Sequence, residues 1–298
     1  MKNKILRVYN FFSNKAVILY NFILSIISKP PKIKLIDETI IKILNDKASV
    51  SRFGDGELCL INGQGIKYQE ADKTLQRRLK EILKSNSKNH IVTIPDVFVK
   101  ERLELRTEEN KKFWKKNLSL NRKDWYKNLD LEKQYYNTAI SRFYIPIKDK
   151  SKSIKSLDLL KNIWNNRDII IVEGYGSRLG VGNDLFDNSK SIFRILAPAE
   201  NAFRRYDEII EAVKKVNKDK LILIALGPTA TVLAYDLYKL GYWAIDIGHI
   251  DLEYEWLKMN AKKQVKILNK YTNEVENGDK ISECTDLKYN SEIINKIY

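Results

Sequence analysis

Histidine and cysteine are scarce in this chain of 298 residues, and each shortage removes a class of chemistry. Two histidines occur, His90 and His249, too few for a multi-histidine metal centre or a His-rich catalytic array. The two cysteines, Cys59 and Cys284, lie far apart with neither a CxxC nor a Cys/His spacing, which argues against a disulfide framework and against a structural zinc site. A reducing, cytoplasmic setting is expected, and any metal must rest mainly on carboxylates. No uninterrupted apolar run reaches the roughly 20 residues of a spanning helix, and no small-residue cleavage site follows the apolar N-terminal stretch.

What is present is a chain with 44% hydrophobic residues, ample for one large α/β core. It carries 53 Lys and Arg against 38 Asp and Glu, a formal charge of +15 that suits polyanions in general. The basic residues are scattered instead of gathered into one arm, so nucleic acid is not the expected partner. Residues 1–32 are basic at both ends and rich in Ile, Leu, Phe and Tyr between them. Two readings stand for this segment: an amphipathic helix lying on a membrane face, with Lys2, Lys4, Arg7 and Lys15 for anionic lipid, or a helix packed on the domain.

Pro30-Pro31 closes that segment, and a single catalytic domain is expected over residues 33–270, followed by a peripheral tail at 271–298. Short apolar runs at 48–53, 90–95, 168–173, 191–198, 220–227 and 242–248 predict strands separated by helical periodicity. Asp168-Ile-Ile-Ile-Val-Glu-Gly174 and Lys220-Leu-Ile-Leu-Ile-Ala-Leu-Gly227 are apolar without alternation, as strands covered on both faces are. The fold class is therefore α/β, a Rossmann-like, mostly parallel sheet with helices on both faces. The Lys-, Asn- and aromatic-rich stretch at about 101–165 predicts a helical insertion, either an acceptor-side wall or helices whose aromatics pack on the core.

In such sheets ligands bind beyond the carboxyl ends of the strands, and the loops there are rich in Gly, carboxylate, amide and Arg. Arg52-Phe53-Gly54-Asp55-Gly56-Glu57 sets two carboxylates two residues apart between glycines, a pair able to grip one Mg²⁺ or Mn²⁺ while leaving positions for phosphate oxygens. Gly227-Pro228-Thr229 leads straight into a helix whose first N–H groups form an anion site. Gly174, Gly176 and Gly180 are spaced one residue too long for a dinucleotide fingerprint, and the next strand ends without a ribose-binding acid, which disfavours a nicotinamide enzyme. Arg178 in the same loop is placed to meet phosphate or sugar hydroxyls. His249 stands among Asp246, Asp251, Glu253 and Glu255; it is a candidate metal ligand or donor-orienting group, and with Asp251, Glu253 and Glu255 it makes up the candidate catalytic set. His90, at the opposite strand end, reads as structural.

The ordered blocks SRFGDGEL, VEGYGSRLGVGNDLF, APAENAFRRYDEI, ALGPTATVLAYDL and DIGHIDLEYEW resemble the bacterial glycosyltransferase family of the GT-D fold, formerly a domain of unknown function. The resemblance runs from about residue 50 to 256 and implies a GT-D-type, Rossmann-related enzyme that transfers a hexose from a UDP-sugar with a divalent cation. By that resemblance Asp55 and Glu57 match the metal-binding motif, and Arg52, Asn201 and the Gly227–Thr229 turn fall in donor-side blocks. Phe53, Gly54, Glu173 and Arg178 complete the expected donor-binding set. The expected acceptor is a hydroxyl of a lipid- or protein-linked surface glycan. Two rivals are weighed against this: a Rossmann-like methyltransferase, with its glycine-rich first loop, and a basic nucleic-acid-binding protein, which gives no reason for five such loops on one edge.

Overall fold

The computed structural model describes residues 2–298, with side chains from Asn14 onward. Among the described residues nine strands form one sheet: β1 (Lys32–Ile33), β2 (Ser49–Arg52), β3 (His90–Ile94), β4 (Gln134–Asn137), β5 (Asp168–Gly174), β6 (Ser191–Ala197), β7 (Leu221–Ala225), β8 (Trp243–Asp246) and β9 (Ile293–Lys296). Their spatial order is β1-β4-β3-β2-β8-β7-β5-β6-β9, and every neighbouring pair runs parallel. All six strands expected from apolar runs are found. The helices are α1 (Lys2–Ile27), α2 (Ile36–Asp46), α3 (Asp55–Ile61), α4 (Lys73–Lys84), α5 (Lys100–Glu104), α6 (Glu108–Asn128), α7 (Lys150–Trp164), α8 (Tyr206–Lys214), α9 (Pro228–Lys239), α10 (Ile250–Lys258) and α11 (Leu287–Glu292).

The sheet is covered on both faces, and β5 shows why its sequence lacks alternation. Ile169 and Ile171 face one core with Ile43 of α2 and Leu160 and Trp164 of α7, while Ile170 and Val172 face another with Ile209 of α8 and Leu233 of α9. A third core packs Leu75, Leu79 and Ile82 of α4 against Val92 and Ile94 of β3. In α4 the apolar residues recur on one helical face, and the Asp72 carboxylate caps the start by accepting the Leu75 N–H at 2.7 Å.

Two expectations change. The stretch at 101–165 is not wholly helical: between α6 and α7 it supplies β4, which enters the sheet between β1 and β3. The stretch at 271–298 is more than a peripheral tail, because β9 pairs with β6 and closes that edge of the sheet. In both cases the strand is four residues long with polar positions in it, too short to show a period of its own.

The sheet order reverses between β2 and β8. From β2 the chain builds outward through β3 and β4; on the other side β8 continues into β7, β5 and β6. Loops leaving the carboxyl ends of β2 and β8 therefore part in opposite directions and open a crevice between them, the ordinary ligand position in open α/β sheets.

The closing edge is fastened by a buried ion network. Arg194 of β6 donates from Nη1 to Glu173 of β5 at 2.8 Å and from Nε to Glu292 of α11 at 2.7 Å, with its guanidinium over the Tyr289 ring. Arg194→Met leaves Glu173 buried without its cation, so a loss of about 3–5 kcal/mol is expected from urea denaturation. Glu292→Gln, which keeps an acceptor at the more open end, is expected to shift the midpoint far less.

Candidate functional site

A cleft of about 730 Å³ lies over the β2/β8 junction, within the ~300–1,000 Å³ span of small-ligand sites. Its floor is built by three strand ends. Arg52 ends β2, Asp246 ends β8, and Gly227 follows β7. Gly54 and Asp55 open α3 directly after β2, so the Asp-x-Glu acids stand at the first and third positions of that helix. Glu57 Oε2 accepts the Gly54 N–H at 2.7 Å, which fastens the loop and helix start together. Asp55 is exposed within the cleft.

The guanidinium of Arg52 is held across the floor. Its Nη1 donates to Ser141 Oγ, and its Nε stands 3.8 Å from Asp246 Oδ1. Asp246 also accepts the Gly248 N–H at 3.1 Å. Gly248 has φ +43°, and a Cβ there would fall 2.3 Å from Arg52 Nη1, so a larger residue would strain the turn and push the guanidinium aside. Gly227 has φ +53° and faces the ring of Tyr68, which a Cβ would meet at 2.9 Å. As the N-cap of α9 it supplies no side chain, which leaves the first N–H groups of that helix without a side-chain partner.

Charge in the cleft is unevenly compensated. Burial pushes Glu57 up to about 7, and the neighbouring Asp246 carboxylate adds to the rise. Asp246 is pushed up to about 6 by burial, against the pull of Arg52. The enclosing walls raise Asp55 as well, with Arg142 opposing. Burial also opposes ionisation of Glu274, but the Arg142 guanidinium beside it overcomes that and holds the carboxyl at about 2. His249 is driven down to about 3, first by burial and then by Arg142, so its imidazole is neutral; its Nδ1 lies 3.7 Å from Glu274. A neutral imidazole is the state that a metal ligand or a proton acceptor requires.

Of the residues singled out from sequence, the cleft brings together Arg52, Gly54, Asp55, Glu57, Gly227, His249, Asp251 and Glu253. Phe53, Glu173, Arg178, Asn201, Pro228, Thr229 and Glu255 do not line it, for reasons seen in their contacts. Phe53 is core. Glu173 serves Arg194 and accepts the Leu179 N–H at 2.8 Å. Arg178 turns away to the carbonyls of Asn269 and Ser282. Asn201 acts one step back from the cleft: its N–H donates to the Tyr68 carbonyl at 2.9 Å and its Oδ1 accepts the Glu70 N–H at 2.8 Å. Pro228 and Thr229 are buried in the first turn of α9. Asp251 is saturated, accepting from the Gly180 N–H, Asn183 and Lys270, while Glu255 shares Asn183 and Lys270.

Glu253 is wholly buried; its Oε2 accepts the N–H groups of Tyr144 and Ile145 at 2.8 and 2.7 Å, while its Oε1 has no hydrogen-bond donor. Burial raises this carboxyl to about 7 despite Arg142. The residues that sequence reading missed are Tyr68, Arg142 and Glu274. Ser141-Arg142-Phe143 repeats Ser51-Arg52-Phe53, and both arginines line the cleft, so the repeat was the available signal. Glu274 has none, since it reaches the cleft from the stretch after α10.

The cleft residues offer hard oxygen donors from Asp55, Glu57 and Asp246, with raised pKa values that a nearby cation would relieve. Among the described residues, no three His, Cys, Asp or Glu side chains converge as a complete ligand set. The donors fit an ion that takes part of its coordination from substrate and water.

The family described as glycosyltransferase GT-D fold matches residues 50–275. Glycosyltransferase GlyD of Streptococcus pneumoniae is 42% identical over 267 residues, covering 89% of this chain and 32% of that protein. A probable glycosyl transferase Gly of Streptococcus gordonii is 43% identical over 260 residues, covering 87% of this chain and 38% of that one. The chain thus spans about a third of the length of these relatives. Among solved structures, a new glycosyltransferase from Streptococcus sanguinis superposes with a TM-score of 0.86 at 41% identity, covering 90% of this chain and 100% of that one. A structure of the domain of unknown function 1792, described as having a distinct glycosyltransferase fold, gives 0.86 at 40% identity, with 96% and 100% coverage.

Because Glu253 holds its proton to about pH 7 in the folded protein against 4.5 when solvated, the stability tied to it falls as pH rises between those values. Glu253→Gln cannot ionise, so it is expected to gain on the parent protein from about pH 5 to 8, by an amount on the order of 3 kcal/mol. Paired urea titrations across that range measure the difference. A flat difference would show that Glu253 is ionised throughout.

Proposed function

Since the chain belongs to the glycosyltransferase family of the GT-D fold, we propose that it transfers a hexose from a UDP-sugar to a hydroxyl of a lipid- or protein-linked surface glycan, with Mn²⁺ or Mg²⁺. The observation that carries this reading is the meeting of Asp55 and Glu57 with Arg52, Asp246 and the uncapped start of α9 in one cleft at the sheet's reversal point. A divalent cation held by Asp55 and Glu57 would neutralise charge on the departing diphosphate.

The chain's own groups supply the rest. The N–H groups after Gly227 and the guanidinium of Arg52 offer positive ends to phosphate oxygens. Tyr68, held by Asn201 through its backbone, forms a wall beside Gly227. On the far side of the cleft Arg106, Phe113 and Trp114 supply a mixed polar and aromatic wall for an acceptor sugar. Asp251 and Glu255 are committed to Lys270 and Asn183, which leaves Glu253 and His249 as the candidates to take the acceptor's proton. Glu253 has a carboxyl tuned to about 7, close to the optimum for a base near neutral pH.

Hydrolysis of a panel of UDP-hexoses with Mn²⁺ tests the reading without knowledge of the acceptor. Turnover with at least one donor is expected, suppressed by chelation. Asp55→Asn and Glu57→Gln should each lower it about a hundredfold or more while circular dichroism remains that of the parent. Full turnover in both variants would falsify the metal assignment.

A further inference from the structure

We propose that α1 and the adjoining part of α6 dock on an anionic bilayer surface, holding the mouth of the cleft beside that surface. The observation is an inverted helix. A helix packed on a domain puts its apolar stripe inward and its polar face outward. Over its described half, α1 does the reverse. Asn21 is 1% exposed and faces α6, where its Nδ2 donates to the Ser119 carbonyl and its Oδ1 accepts the Lys123 N–H. Leu19, Phe22, Ile23, Ile26 and Ile27, spaced as one helical stripe, are 43–71% exposed.

Water is the wrong solvent for such a stripe, and its surroundings name the right one. Residues 14–36 carry four Lys and no Asp or Glu, and α6 adds seven Lys or Arg against three acids. An apolar ridge set in a basic field is the complement of an anionic lipid surface, where side chains enter the acyl boundary and cations meet head groups. No described helix is long and apolar enough to cross a membrane, so contact is with the surface. The two sequence readings of this segment are thus compatible: Asn21 docks the helix on the domain, and the stripe is left for the bilayer.

α6 links this surface to the cleft. Phe113 and Trp114 line the cleft wall, and Ser119, which holds Asn21, follows about 7.5 Å further along the same helix at ~1.5 Å per residue. Docking through α1 therefore brings the acceptor side of the cleft close to the head groups, where a lipid-linked acceptor would be presented. This last step rests on the proposed glycosyl transfer; the docking itself does not.

Co-sedimentation of the whole chain with vesicles separates the possibilities. Binding is expected to phosphatidylglycerol-containing vesicles, weaker to phosphatidylcholine alone, and falling as salt rises. Phe22→Asp with Ile26→Asp should lower partitioning about tenfold or more, with the melting temperature and UDP-hexose hydrolysis in solution retained. Phe22→Ser provides a gentler variant with the same expected direction. Equal binding of parent and variants, or no binding to anionic vesicles at low salt, would overturn the proposal. So would a dimer in sedimentation velocity that the variants dissolve, because the stripe would then belong to a second copy of the chain. Loss of hydrolysis in the parent protein would count against the glycosyl reading alone.

Discussion

The contact between β2 and β8 is the constraint from which the rest of the molecule follows. These strands are far apart in sequence, and their pairing joins a half built from β1 to β4 to a half built from β5 to β9. Once Val50 lies beside Ile245, the ends of the two strands bring Arg52 to Asp246. The loops that leave them carry Asp55 and Glu57 on one side and Gly248 and His249 on the other. The missing side chain at Gly248 is a consequence of that closeness, since Arg52 occupies the space a Cβ would need. The same reversal prevents the loops from covering each other, which is why a cleft exists at this point of the edge.

Electrostatic completeness divides the acids near the cleft into two kinds. Asp251 and Glu255 share Lys270 and Asn183, and Glu173 has Arg194; these are satisfied pairs that fasten the glycine loop and the closing edge. Half-buried Glu57 and buried Asp246 and Glu253 have less compensation, and each holds its proton well above the ordinary carboxylate range. A protein with a formal charge of +15 thus keeps a carboxylate-lined floor at its sheet junction. Proximity in sequence gave no warning of this split: Glu253 and Glu255 are two residues apart on α10, hence on opposite sides of the helix, where they meet the 144–145 loop and the 183 loop respectively.

How far the residues alone reveal the molecule depends on whether local pattern or distant pairing decides each element. β5 and β7 are legible because a strand covered on both faces must be apolar at every position, and no other element of that length needs to be. β1, β4 and β9 are not legible. They are edge or near-edge strands of two to four residues with polar members, and their strand state comes from a neighbour's open hydrogen bonds. The Asp55 and Glu57 loop and His249 stand out because glycine and carboxylate follow buried strands at one edge. Glu173 and Arg178 share that edge in sequence yet turn inward, since Arg194 and the carbonyls of Asn269 and Ser282 receive them. Arg142 and Glu274 come from stretches whose geometry only the assembled sheet determines.

The pairing of Arg142 with Glu274 has a consequence for the sheet as well as for the cleft. Arg142 is half-buried in the cleft with Glu274 as its counter-charge, and the edge of β6 is closed by β9 at residues 293–296. Without the segment that holds Glu274 and β9 the cleft would keep Asp55, Glu57, Asp246 and His249, but Arg142 would be left with Glu253 alone, at 3.9 Å, and β6 with an open edge. The stretch that follows α10 is thus as much a part of the site as the motif loops, because one segment supplies both the counter-charge in the cleft and the strand that covers β6.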